Sequence, residues 1–322
     1  VVLENANLSE VIEISRKAAG TGGSRLGLSA GDKISINDLL YGLMLCSGND
    51  AAVALAENIG GSIEGFAEKM NQKAEKLGLK DTHFVTPHGL DEEQHYTTAY
   101  ELAKLTDYAL EIEKFAQIVG TKNTTITING KLKQIHNTNE LLGYLDGVYG
   151  VKTGFTNGAN RCLVTSAKRD DMDIICIALG ADTKKFRTTD SIKMIEYAFK
   201  TYQMVNVEEI VKQNVSNWIA ENHIRVEKGK ESEIKICLDS IPYKEYPIKK
   251  WEAEDIYIQV ESVSEVKAPI EEGGKIGSIT VLNENNILFV VDLLVEKTVE
   301  KKQVQDYFFQ MLSNMCLFYE FM

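Results

Sequence analysis

The chain has 322 residues, 44% hydrophobic and 25% charged, enough for a sizeable core in one large domain plus a smaller one, or in two to three modest domains. Its net charge of −12 argues against a nucleic-acid partner, because phosphate binding needs clustered lysine and arginine. Cysteines at 46, 162, 176, 237 and 316 form no Cys-x-x-Cys pair and have no metal-ligand spacing to the histidines, so no disulfide framework, metal or other cofactor is expected.

Residues 1–12 carry neither a basic n-region nor an apolar h-region, and the chain opens on an apolar run without a start methionine. It is expected to begin inside a fold. Residues 34–60 predict two helices. The first opens at Asn37-Asp38, with Leu39, Leu40, Leu43 and Met44 at helical spacing. The second runs over Ala51–Asn58, capped by Asn49 or Asp50 and stopped by Gly60-Gly61. Ser47-Gly48-Asn49 therefore falls on the turn between them. A further helix spans Ser62 to about Leu77, and Thr98-Ala-Tyr-Glu101 is a capping-box pattern opening another through about Glu113.

From Thr121 the texture changes. Thr124–Ile128 alternates as a strand, and Asn129-Gly130 is a hairpin turn. Val148–Lys152, Cys162–Ala167 and Ile174–Leu179 predict three more strands, the last apolar on both faces and hence central. Cys162 and Cys176 are expected there as buried small hydrophobes. A helix from about Thr183 to Tyr202 closes the region. Helices, strands, then a helix fit an α+β domain with an antiparallel sheet over 1–203.

Alternating runs at Glu233–Leu238, Asp255–Val263, Lys275–Leu282 and Leu288–Val295 predict a separate β-rich domain over 204–297. The tail, 298–322, returns to helical spacing, with Val304, Tyr307, Phe308, Met311, Leu312, Met315, Phe318 and Tyr319 on one side. Such an amphipathic helix docks on protein or lies on a membrane surface. No run reaches the roughly 18 apolar residues of a membrane span.

Ser47 and Asn49 offer a hydroxyl and an amide side by side on a turn. The hydroxyl can relay a proton and the amide can hold a peptide backbone. Lys152-Thr153-Gly154 on a strand edge offers a positive charge, a hydroxyl donor and a residue without Cβ. Lys152 and Thr153 suit a substrate carboxylate, and Gly154 allows close approach. The N–H of Phe155, just after the glycine, is placed for half of an oxyanion hole.

Ser-x-Asn followed by Lys-Thr-Gly is part of the signature of penicillin-binding proteins and serine β-lactamases. Around those triplets, Tyr41–Ala56 (YGLMLCSGNDAAVALA), His83–Asp91 (HFVTPHGLD) and Gly147–Thr156 (GVYGVKTGFT) resemble the D-alanyl-D-alanine carboxypeptidases of peptidase family S11, the low-molecular-mass penicillin-binding proteins. The likeness runs to about residue 203 and is looser beyond. It implies a penicillin-binding-protein fold of antiparallel sheet and helices, followed by a β-rich domain and an amphipathic tail. It implies a penicillin-sensitive serine hydrolase of peptidoglycan biosynthesis that removes the terminal D-Ala of stem peptides through an acyl-enzyme. The setting implied is extracytoplasmic, secreted and membrane-associated, with a role in the cell wall and cell shape.

Carried over, Ser47 is the proton-relay serine, Asn49 the substrate-amide holder, and Lys152 and Thr153 the carboxylate site. Phe155 supplies an oxyanion N–H, and Arg187 orients the carboxylate. The family's nucleophile and general base stand in a Ser-x-x-Lys some tens of residues before Ser-x-Asn, so here they are expected upstream of Val1. Ser232–Lys235 and Ser264–Lys267 have the string but follow Lys-Thr-Gly on strand-like segments, where i and i+3 face opposite sides.

A truncated, non-catalytic wall-binding or scaffolding protein is the alternative. A β-lactamase is disfavoured by the second domain and the lack of a Glu-centred deacylation motif. His88 and His95 beside Asp91-Glu92-Glu93 read as a solvated loop, and Thr21-Gly-Gly-Ser24 as a turn beside the site. His136 before Asn137-Thr138-Asn139 sits in a stretch like a family loop near the cleft, or is a surface histidine.

Overall fold

The computed structural model describes residues 1–284 and 286–319, with side chains through residue 312. Two compact units divide it, Val1–Lys200 and Thr201–Met322. The first carries α1 (Val2–Asn5), β1 (Val11–Glu13), α2 (Arg16–Ala19), β2 (Lys33–Ser35), α3 (Ile36–Cys46), α4 (Asn49–Gly60) and α5 (Ile63–Lys76). Next come α6 (Ala99–Leu110), α7 (Glu113–Gly120), β3 (Asn123–Ile128), β4 (Lys131–His136), β5 (Val148–Thr156), β6 (Asn160–Arg169), β7 (Met172–Ala181) and α8 (Lys184–Thr201).

One antiparallel sheet has the order β1-β2-β3-β4, the other β5-β6-β7. The architecture is the expected α+β one, with local corrections. Ser35, not Asn37-Asp38, caps α3, its hydroxyl accepting the Asp38 N–H at 3.1 Å. Gly48 occupies the N-cap of α4, while Gly61 closes it in the left-handed region. Thr98 caps α6, but the Glu101 carboxylate accepts from Asp81 N and Thr82 Oγ1 instead of completing the box. That helix ends at Leu110, and α7 was not anticipated.

α4 is the unit's central helix. Every residue from Asn49 to Ala56 is buried, as expected of a helix without a polar stripe. Its alanines let neighbours come close, and Leu39, Leu45, Val53 and Leu55 join one core with Ile126 and Ile135 of the first sheet.

β7 is not central. Among the described residues it pairs only with β6, which lies in the middle. Its unbroken apolar run has another cause: helices cover both faces. Cys176 packs with Ile195 of α8, while α6 lies against the strand, Ile175 and Leu110 lining the same recess. Cys176 is buried as expected, but Cys162 is only half-buried at the start of β6.

The second unit carries β8 (Tyr202–Val205), α9 (Val207–Glu221), β9 (Arg225–Glu227), β10 (Ile236–Leu238), β11 (Tyr246–Lys249), β12 (Ile256–Ser262), β13 (Glu265–Lys267), β14 (Lys275–Asn283), β15 (Asn286–Val295) and α10 (Val304–Tyr319). Its main sheet is antiparallel, β10-β15-β14-β12. The strand expected over Glu233–Leu238 is confined to β10, and α9 interrupts a region read as strands alone. Val207, Val211 and Val215 recur at helical spacing and bury α9 against Ile279, Val281 and Leu293.

The described part of α10 exposes Val304, Tyr307, Phe308, Phe309 and Met311. The side chains of Met315, Phe318 and Tyr319, read on the same face, and that of Cys316 lie outside the described residues. Among the described residues no helix is long and apolar enough to cross a membrane.

Candidate active site

Two residues 105 apart in sequence meet here: Lys152 Nζ donates to Ser47 Oγ at 2.9 Å. Ser47 terminates α3 at φ 58° and ψ 40°, left-handed backbone that non-glycine residues rarely adopt. The Ser47 and Gly48 N–H groups both donate to the Gly42 carbonyl, which closes the helix end. Such a conformation costs of order 1–3 kcal/mol and persists only where the surroundings enforce it. It turns the serine out of the helix toward β5.

The surroundings include Asp50, whose carboxylate is fully buried. Oδ1 accepts from Leu26 N at 2.8 Å and Ala51 N at 3.0 Å, and Oδ2 from Gly27 N at 2.8 Å and Leu28 N at 3.0 Å. The segment before α3 is thereby clamped to the turn. Gly48 is required by this close approach: a Cβ there would stand 2.9 Å from Asp50 Oδ1 and 3.0 Å from Leu26 N.

Asn49 belongs to the same clamp. Its N–H donates to Ser24 O and its Nδ2 to Gly22 O, both at 2.8 Å, so Thr21–Ser24 is the turn beside the site that its composition implied. One of the two Asn49 Nδ2 N–H groups is spent on that turn, and Oδ1 is free to accept in this arrangement.

Lys152 lies on β5, which pairs only with β6 among the described residues. No strand among the described residues pairs with the other edge of β5, and an unpaired edge is where an extended peptide can add. Lys152 Nζ also donates to Thr153 O at 2.8 Å. Burial pushes its ammonium down to about 8; the Cys46 thiol opposes this and the Arg187 charge adds to it. The side chain is thus a cation near neutral pH that gives up its proton at modest cost.

Thr153 Oγ1 is 2.7 Å from Thr138 Oγ1. Residues 137–139 are therefore at the site, held by Thr138 N to Leu45 O at 3.1 Å and by Asn139 Nδ2 to Gly150 O at 2.9 Å. His136 is not the residue that reaches it; its Nδ1 lies 2.6 Å from Asn123 Oδ1 on an exposed strand end. Arg187 is only 4% exposed and binds Glu140 Oε1 at 3.1 Å, with Lys184 2.6 Å from Glu140 Oε2. Its charge is felt at Lys152 while its guanidinium is anchored by Glu140. Phe155 is exposed beneath the Arg161 guanidinium, 3.6 Å above the ring.

Sequence reasoning missed Asp50 and Glu140 as parts of this site, whereas the stretch holding Thr138 already reads as a family loop near the cleft. Asp50 adjoins a motif it had marked; Glu140 gave no local signal. Ser232–Lys235 and Ser264–Lys267 lie in the second unit, with Lys267 on β13 and Ser264 before it. Among the described residues no cluster of three His, Cys, Asp or Glu is built to hold a metal.

Residues 2–183 match the family model for D-alanyl-D-alanine carboxypeptidase, peptidase S11, and residues 199–301 that for the C-terminal domain of penicillin-binding protein 5. The D-alanyl-D-alanine carboxypeptidase DacF of Bacillus subtilis is 34% identical over 295 residues, spanning 91% of this chain and 74% of that protein. Penicillin-binding protein 5 of Haemophilus influenzae superposes with a TM-score of 0.74 at 26% identity, over 93% of this chain and 85% of its own. The Streptomyces K15 DD-transpeptidase gives 0.58 at 34% identity, over 61% of this chain and 80% of its own.

Proposed function

Since the chain belongs to the D-alanyl-D-alanine carboxypeptidase family, peptidase S11, we propose that it serves a serine-type hydrolase that removes the terminal D-Ala from peptidoglycan stem peptides and is acylated by β-lactams. The observation that carries this is the 2.9 Å contact between Lys152 Nζ and Ser47 Oγ, on a helix turn facing an open strand edge.

The peptide lies along the free edge of β5. Lys152 and Thr153 hold its terminal carboxylate by charge and hydroxyl, and Gly154 leaves room for its backbone. Arg187, fixed by Glu140, adds positive potential behind them. The Phe155 N–H donates to the carbonyl oxygen of the penultimate D-Ala as it becomes an oxyanion. A serine adds to that carbonyl, and the departing D-Ala amine takes a proton through the Ser47 hydroxyl, which Lys152 keeps oriented. Asn49 offers Oδ1 to a substrate N–H. Water then cleaves the ester and restores the serine.

The acylating serine and its base lysine precede Ser47 in the family's order, so the proposal puts them outside residues 1–322 and in neither string of the second unit. Domain boundaries are placed at 203 and 297. The enzyme acts on the cell wall outside the cytoplasm, with the exposed apolar side chains of α10 resting on the membrane surface.

Intact mass with and without benzylpenicillin, with the adduct mapped by peptide, tests the reading. A single adduct on a serine preceding Ser47, and D-Ala release from a diacetyl-L-Lys-D-Ala-D-Ala peptide, are expected. No adduct and no release on the full-length protein would refute it.

A further inference from the structure

Residues 139–141 link β5 to α8 within the first unit. Asn139 is buried, its Nδ2 donating to Gly150 O on β5 at 2.9 Å and its Oδ1 accepting the Leu141 N–H at 3.1 Å, and Leu141 is fully buried. The backbone of Glu140 is fixed between them. Its carboxylate meets the start of α8, where Lys184, Arg187 and Thr188 stand at i, i+3 and i+4 and so share one face. Oε1 accepts from Arg187 at 3.1 Å and from the Thr188 hydroxyl, and Lys184 Nζ lies 2.6 Å from Oε2.

Two cations are set beside the carboxylate site, and they differ in what they can do. Arg187 is buried, and among the described residues Glu140 is its only carboxylate partner and its Nε has no acceptor. Lys152 gives up its proton near 8, chiefly through burial, with the Cys46 thiol of α3 opposing and Arg187 of α8 adding to the effect. Cys46 in turn feels Lys133 of β4 and Asp50 of α4. A guanidinium keeps its proton at any pH a fold survives, whereas an ammonium does not. Positive charge left unbalanced here therefore falls on the lysine, which yields its proton.

Glu140 supplies the balance. Among the described residues it makes no hydrogen bond or ion pair to Ser47 or Lys152, and its partners all lie on α8. It reaches the site through Arg187.

We propose that Glu140 is a positioning residue that pins Arg187 and offsets its charge, and so sets the upper pH at which Lys152 remains a cation able to receive a substrate carboxylate. The inference rests on the carboxypeptidase reading.

The test uses the full-length protein and the pH dependence of kcat/KM for D-Ala release from diacetyl-L-Lys-D-Ala-D-Ala between pH 6 and 10. The wild-type value falls along a basic limb near pH 8 as Lys152 loses its proton. In Glu140→Gln that limb moves down by about half to one pH unit, the effect of one uncompensated charge in a partly solvated site. Glu140→Asp keeps the charge and holds the limb within about 0.2 unit of the wild type. Arg187→Gln moves the limb upward, and the Glu140→Gln/Arg187→Gln double variant returns it close to the wild-type position, because anion and cation leave together. A limb unmoved in Glu140→Gln, with turnover intact, overturns the inference and leaves the carboxypeptidase reading standing. Equal shifts in Glu140→Gln and Glu140→Asp also overturn it, since the charge is then not the cause. Should Glu140→Gln fail to fold, an Arg187→Gln limb that does not rise overturns it instead. No D-Ala release by the wild type refutes the carboxypeptidase reading and the inference with it.

Discussion

Replacing Asp50 by Asn tests whether the Ser-Gly-Asn turn is held by its neighbour's carboxylate. The two oxygens of Asp50 accept four backbone N–H groups, two each, at 2.8–3.0 Å. An amide has one oxygen, so whichever way it points its NH2 group faces two donors. A buried donor left without an acceptor costs about 1–3 kcal/mol. Gly27 is exposed and loses less than Leu26 or Leu28, which are buried. The expected loss is therefore about 2–4 kcal/mol, concentrated in the first unit. Trp218 and Trp251 both lie in the second unit, so their fluorescence under urea is an internal reference, while far-ultraviolet dichroism follows the helices of both. Hydrogen exchange over residues 22–28 supplies the local readout, with protection of the Leu26 and Leu28 amides falling in parallel. A destabilisation below about 0.5 kcal/mol, a value typical of exposed surface changes, with unchanged protection, would refute the clamp.

Further outcomes follow from the same geometry. Lys152 titrates near 8 in the fold against 10.5 when free, so between those values the unfolded chain binds more protons and stability rises with pH. The cost, up to about 3 kcal/mol, is fully present below pH 8 and is absent from Lys152→Met; parallel stability curves for the two proteins from pH 7 to 10 would contradict the burial argument. Gly48→Ala, whose Cβ meets Asp50 Oδ1 and Leu26 N, should cost about 1–3 kcal/mol by thermal unfolding, whereas Gly22→Ala, with nothing near its Cβ, should be close to neutral. Glu4 is held at about 2 by hydrogen bonds from Lys73 and Tyr108. Its stabilisation, about 1–3 kcal/mol, is present above pH 4.5 and is lost as pH falls toward 2; Glu4→Gln should lose that segment of acid dependence, and an unchanged acid profile would count against the pair.

Local pattern alone determined much of this protein. Apolar spacing of 3.6 set α3, a polar cap and Gly60-Gly61 set α4, glycine and the Ser-Gly-Asn triplet set the break between them, and Asn129-Gly130 set the β3–β4 hairpin, because each depends on residues within a turn or two of one another. The apolar run also marked Val148–Lys152 as a strand, which β5 extends to Thr156. Tertiary structure decided the rest. β7 looks central because its run is apolar on both faces, yet helices, not strands, cover it; hydropathy records burial without saying by what. α9 carries too few apolar residues to announce itself beside the strong alternation of its neighbours. Asp50 and Glu140 are ordinary polar residues along the chain. They acquire roles only through partners 22–24 and 47 positions away, to which no local periodicity refers.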